Sequence, residues 1–166
     1  MNSLFKRRSI RHYTKEPIKP ESIELLLKAA MAAPSAGNQQ PWHFIVIQDR
    51  RILEEIPNLH PYAQMVMEAP LAILVCGDIS SEKHPGFWVQ DCSAATENIL
   101  IEACELGLGA VWVGVYPNEQ RVAALSKLVG LPEKIIPFSL VPIGYPAEHK
   151  PPSNRYDMAK IHYNRW

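Results

Sequence analysis

Five potential cations fall within seven positions near the start of the chain, Lys6, Arg7, Arg8, Arg11 and His12, with Ser9 among them. Like charges this close repel unless solvent or an anion screens them, so the cluster is either a solvated basic turn or a preorganised anion site. The planar fork of arginine suits a phosphate. A second candidate is the stretch AAPSAGNQQPW, Ala32 to Trp42. It crowds short donors and acceptors (Ser35, Asn38, Gln39, Gln40) between two prolines, and loops on rigid supports often carry binding chemistry. The same residues also suit an ordinary connector that ends on a core tryptophan. The third is GLGAVWVGV, Gly107 to Val115, which by itself reads more readily as core than as a cofactor site.

Other chemistries find no support. Gly107-Leu108-Gly109 follows a helical pattern and precedes a strand, the reverse of the dinucleotide-binding fingerprint. There is no GxSxG elbow, and no cysteine sits in a basic, helix-opening context. The six histidines do not pair at ligand spacing, so no metal site is expected. Cys76, Cys92 and Cys104 are odd in number and embedded in apolar or helical context, which predicts small buried fillers in a reducing cytoplasm rather than a disulfide framework. Formal charge balances to zero, leaving no overall field to recruit nucleic acid or a membrane surface. No run approaches the ~20 apolar residues that span a bilayer, and no apolar segment follows the basic N-terminus as in a leader. A soluble, cytoplasmic, single-domain protein over residues 1–166 is the expectation.

The elements that must position the three candidates follow from hydrophobic period. Pro20 suits the first position of a helix whose buried face is Ile23, Leu26, Leu27, Ala30 and Met31, and Pro34 stops it. A strand at Phe44–Ile47 follows, then a helix from Arg50 that Pro57 closes, and a short helix at about 62–68. Leu71–Cys76 is a continuous apolar run, as in a strand buried on both faces. The longest helix spans about 89–106, with Val89, Cys92, Ile99, Ala103 and Leu106 as its stripe. It looks too apolar for one chain to cover, and Ala94 and Ala95 leave room for a close partner, so two copies are expected to meet at Ala95. Gly107 caps this helix; Ala110–Val115 is a third buried strand, 118–129 a helix, and Phe138–Ile143 a fourth strand that Pro142 assigns to an edge or an end.

Taken in order, RRSIR, PSAGNQQPW and GLGAVWVGV closely resemble the motifs of the FMN-dependent nitroreductase family, and the ending KPPSNRYDMAKIHYNRW is similar to that of its smaller members. The resemblance covers nearly the whole chain. It implies an α+β, nitroreductase-like three-layer fold with a central mixed β-sheet flanked by helices, and a homodimer with two FMN molecules at its interface. By position, Arg7, Arg8, Ser9 and Arg11 would hold the phosphate, ribityl chain and pyrimidine edge. Pro34, Ser35, Ala36 and Asn38 would approach from the partner subunit, Val113 and Gly114 would lie beside the isoalloxazine ring with a backbone amide near N5, and Arg155 would complete the phosphate site. Family members often carry a lysine where this chain has Ser153, which shifts weight onto the N-terminal arginines.

The implied activity is NAD(P)H-dependent reduction of nitroaromatics, quinones or a related small acceptor, by alternate binding over one flavin face. No catalytic side chain is required, because the flavin carries the chemistry and a cation such as Arg11 stabilises negative charge near N1. A flavin store or redox sensor with incidental turnover is the alternative.

Overall fold

The strand β2, Leu71–Asp78, is the centre of the molecule, and its residues alternate between two cores. Leu71, Ile73 and Val75 join one apolar cluster, while Ala72, Leu74 and Cys76 join another. A strand fully buried on both faces requires cover on both sides, so the helices divide into two layers around one sheet. The structure, a computed structural model, describes residues 3–166. In chain order the elements are α1 (Ser3–Lys6), α2 (Pro20–Met31), β1 (Trp42–Ile47), α3 (Arg50–Leu59), β2, α4 (Trp88–Glu105), β3 (Gly109–Ala110), β4 (Val113–Gly114), α5 (Glu119–Val129) and β5 (Ile135–Gly144). Residues of α2 and α4 pack in the first core and those of α3 and α5 in the second, giving three layers.

The sheet order is β1-β2-β5-β3, with β4 also paired to β5. All pairs of named strands are antiparallel. The parallel contribution is the single bridge between Ser9 and Ala110, by which the N-terminal segment lies along β3. Ile10 N–H donates to the Ala110 carbonyl at 3.1 Å, so the basic cluster is tied directly to the sheet.

Several expectations change. Pro57 does not end α3, which runs to Leu59. The ring lies in the last turns, where only the hydrogen bond that its own N–H would donate is lost, and the buried ring adds apolar contact. The segment 62–68 is a single 3-10 turn, Gln64–Met67. Gly109 to Gly114 is two short strands rather than one, with half-buried Trp112 in the break.

That break explains the larger correction, that β5 is central rather than an edge although it contains Pro137 and Pro142. Continuing the register of Ala110 with Ile143 and of Val113 with Leu140, Pro142 falls opposite the interruption, where its missing N–H leaves no ladder bond unmade. Pro137 sits next to the register shift at Val75 and Cys76.

The α4 expectation also changes. Ala95 is wholly buried within its own chain, in the core shared with Leu26 and Ala30 of α2, so it is not a contact between copies. Its small side chain serves the α2–α4 packing instead, where Asn98 on α4 also donates to the Ala29 carbonyl at 2.9 Å. Met31, expected in the α2 face, is exposed. Cys76 and Cys92 are buried, and desolvation pushes both thiols up, Cys76 to about 12, as suits inert fillers.

Gly109 shows how closely the N-terminal segment packs. A Cβ there would stand 2.6 Å from Ile10 Cγ2 and 2.8 Å from Ile10 Cβ. Gly109→Ala is expected to cost about 1–3 kcal/mol through overpacking, read as a lower urea midpoint at unchanged m-value. A midpoint equal to wild type would refute this contact.

Candidate functional site

The basic cluster is carried by α1 and the turn after it to the C-terminal half of α4. Arg7 N–H donates back to the Ser3 carbonyl at 2.8 Å, and its guanidinium pairs with Glu97 of α4 at 3.3 Å. The Ser3 hydroxyl donates to Glu105, about two turns past Glu97 on the same helix. Arg8 turns the other way. Its Nε donates to the Pro151 carbonyl at 2.8 Å and Nη1 to the Arg7 carbonyl, but Nη2 is buried with no partner.

Ser9 is held from the opposite side by Lys150, whose Nζ donates to the Ser9 carbonyl at 2.6 Å. Lys150 also pairs with Glu148 at 3.2 Å, and Glu148 accepts the Arg11 backbone N–H. Those donors, Arg11 N–H foremost, hold the Glu148 carboxyl below the usual carboxylate range. Arg8, Arg11 and Arg155 have no carboxylate partner among the described residues.

A cavity of about 380 Å³ brings Arg7 and Arg8 together with Ser153, Arg155 and Tyr156. A second, of about 220 Å³, lies on the other side of the two arginines against Cys104, Leu108 and Lys150. Arg8 and Arg155 line the larger cavity without a carboxylate partner among the described residues, and like charges this close repel unless solvent or an anion screens them.

The loop after α2 is ordered by a buried carboxylate. Asp91, in the first turn of α4, accepts from Ala36 N–H at 2.9 Å and from Gln39 Nε2 at 2.7 Å. The buried Gln39 side chain in turn accepts the backbone N–H groups of Lys83 and His84 at 2.9 and 3.1 Å. Gly37, Asn38 and Gln40 all adopt positive φ, 54°, 53° and 50°. For the glutamine this conformation is uncommon and needs external support, which Ser35 Oγ provides by accepting its N–H at 3.0 Å. The His84 ring covers Gly37 so closely that a Cβ there would lie 2.4 Å from Nε2.

Val113 is buried on β4, whereas Gly114 faces solvent. A Cβ on Gly114 would meet nothing within 4 Å, and its φ is not positive. Neither crowding nor backbone conformation within the chain requires a glycine there. The open face leaves room for a flat ligand against the strand.

The structure thus brings Arg7, Arg8 and Arg155 into one cavity, while Ser9 and Arg11, next in the chain, line neither of the two cavities. It does not bring Pro34, Ser35, Ala36 and Asn38 to them. That loop has its own shallow cavity of about 310 Å³ beside Phe87 and Asp91. Along α4, Asp91 anchors the loop, Glu97 holds Arg7, and Cys104 lines the smaller cavity, about 9 and about 20 Å of helix beyond Asp91 at the normal rise. Sequence reasoning missed Lys150 and Asp91, and marked Gln39 as a donor and acceptor of the loop without its tie to Asp91. Asp91 carried a signal, a lone acid on the apolar side of a helical pattern, while Lys150 lies in a polar, proline-rich stretch without period.

Comparison with known proteins finds relatives over nearly the whole chain. The profile of the Nitroreductase family matches residues 4–60 and 56–145. A Methanothermobacter thermautotrophicus protein with the provisional name NADH dehydrogenase/NAD(P)H nitroreductase is 54% identical over 160 residues, 96% of this chain and 84% of that one. The crystal structure of a provisionally named NADH oxidase from Clostridium acetobutylicum superposes with a TM-score of 0.96 at 44% identity, covering 99% of this chain and 100% of the other. A provisionally named nitroreductase from Desulfovibrio desulfuricans, solved in complex with FMN, matches with a TM-score of 0.85 at 29% identity, covering 99% and 95%. With the motifs, the three-layer fold and these matches in agreement, the chain belongs to the nitroreductase family.

Proposed function

We propose that the protein is an FMN-dependent oxidoreductase that takes reducing equivalents from NADH or NADPH and passes them to a nitroaromatic, a quinone or a related small acceptor. The observation that carries this reading is the buried, unpartnered Arg8 Nη2, in a residue that shares its cavity with Arg7 and Arg155 and has no carboxylate partner of its own among the described residues. A buried guanidinium nitrogen without an acceptor is costly, and a terminal phosphate supplies the acceptor. The residues present fit FMN: Arg7, Arg8 and Arg155 surround the phosphate cavity, and Gly114 leaves an open face for a ring.

When bound, FMN supplies hydride transfer at its N5, with NAD(P)H leaving before the acceptor arrives. The chain's own residues bind and orient. Ser9, fixed along β3 by Lys150, would face the phosphate and ribityl chain. Arg11 would place positive charge where the ring becomes electron-rich. The Val113–Gly114 backbone would present its amide to the ring edge.

The site is composite in this proposal, and the molecule a homodimer. Two observations support it. The cavity of the Pro34–Asn38 loop and the cavity of the arginines share no lining residue, so within one chain the two halves are separate. Residues 151–166 lie exposed along their whole length, including Tyr156, Met158, Tyr163 and a wholly exposed Trp166. A run of apolar side chains of that size left in water marks a surface that another chain covers.

Three outcomes test the reading. Purified protein reconstituted with FMN should oxidise NADH or NADPH in steady state with nitroaromatic and quinone acceptors, and flavin binding without turnover on any of them would leave a store or sensor. Arg8→Ala should weaken FMN binding about tenfold or more by the magnitude of a charge-assisted hydrogen bond, while Arg51→Ala, which pairs only with exposed Asp49, leaves it unchanged in fluorescence titration. Co-expression of an Arg8→Ala chain with an Ala36→Trp chain should restore one intact site per heterodimer. If FMN binding in that mixture stays at the level of the two variants alone, the shared-site arrangement is wrong.

A further inference from the structure

His60 is the C-cap of α3 and almost wholly buried. Its Nε2 lies 2.8 Å from the Gly114 carbonyl oxygen, and since a carbonyl only accepts, Nε2 carries the proton and donates. Its Nδ1 is buried without a partner. As a core residue this is a poor choice, because an apolar side chain of similar volume would fill the space without an unpaired polar atom. What the histidine alone provides is the hydrogen bond to Gly114.

The same carbonyl has a second donor. Arg121 of α5 reaches it through Nη1 at 3.2 Å. The Arg121 guanidinium lies over the Tyr62 ring, 5.4 Å from its centroid, and Tyr62 meets the His60 ring edge-on at 6.3 Å. Two side chains, one capping α3 and one from α5, therefore converge on a single backbone oxygen, with the Tyr62 ring packed against both. That oxygen belongs to a residue in a two-residue strand, with no side chain of its own to pack.

We propose that His60 is a positioning residue for the flavin-facing backbone, acting with Arg121 as a two-donor clamp on the Gly114 carbonyl. This rests on the reading that the Val113–Gly114 backbone lies against FMN. The clamp pulls on Gly114 from the sheet face packed against α3 and α5, so the open face stays flat and the Gly114 N–H keeps one direction. Without it, the glycine has wide backbone freedom between two short strands, and the amide that meets the ring edge loses its aim.

The test compares His60→Leu, which keeps volume and removes the donor, with His60→Gln, whose amide can still donate to the carbonyl. Far-UV circular dichroism and thermal unfolding report whether each variant folds. In the apoprotein, amide exchange at Gly114, followed by NMR, should speed up in His60→Leu and remain near wild type in His60→Gln. In the FMN-loaded protein, His60→Leu should bind FMN about fivefold to tenfold more weakly and be reduced by NADH more slowly by a similar factor, the magnitude of one lost hydrogen bond, with His60→Gln restoring most of both. Equal behaviour of the two variants, or no change in His60→Leu, overturns the clamp. Faster Gly114 exchange in His60→Leu with unchanged FMN binding and reduction retains the hydrogen bond but overturns its role toward flavin. Wild-type protein that takes up no FMN overturns the reading beneath it, whatever the exchange data show.

Discussion

The constraint on which the structure depends is the double burial of β2 and β5. Residues Leu71 to Gly77 expose essentially no surface, and neither do Leu140, Val141 and Ile143 of β5. Each large side chain moved out of water contributes about 1.5–3 kcal/mol, so this pair cannot tolerate an open face on either side. Helices are forced onto both. Since α2 and α4 are occupied with the first core and α3 and α5 with the second, the segments proposed to bind FMN can only sit at the ends of helices and along the β3–β4 side of the sheet. The arginine segment, the Pro34–Asn38 loop and the Gly114 strand occupy those positions.

The candidate site is a matter of charges and backbone, and the carboxylates near it serve as struts: Glu97 holds Arg7, Glu148 holds the Arg11 backbone, and Asp91 holds the loop. Asp91 is the most informative of these. A nearly buried carboxylate in the first turn of a helix is stabilised by the helix dipole and by two good donors, so it makes a rigid anchor from a group that would otherwise be expensive to bury. The rigidity is passed on through Gln39 to Lys83 and His84, which places the 80–87 segment over the loop. Binding surfaces built this way are preorganised before a ligand arrives.

Much of this was legible in the chain itself. The β2 run, the α2 and α4 patterns, and the basic cluster all stood out because burial and charge leave a local period or a local density. Where the reading failed, the deciding partner was distant in sequence. Pro142 argued for an edge, and on local rules it should; what permits it in a central strand is the break at Val111–Trp112 on the neighbouring strand. Ala95 was correctly marked as a place of close approach, but the approaching helix is α2 of the same chain. His60 looked like any histidine in the sequence, since nothing near it predicts that its ring meets Gly114.

The sequence by itself therefore determined which segments must be buried and where positive charge is concentrated. Those follow from hydrophobic period and residue type, which act over a few neighbours. Only the tertiary structure decided that Arg7, Arg8 and Arg155 share a cavity while the Pro34–Asn38 loop stands apart from them, that Lys150 fixes Ser9, and that two helices converge on one carbonyl oxygen. These depend on strand register and helix placement across the whole chain. A hydrogen bond or an ion pair between residues a hundred positions apart leaves no local trace, because its geometry is set by everything folded between them.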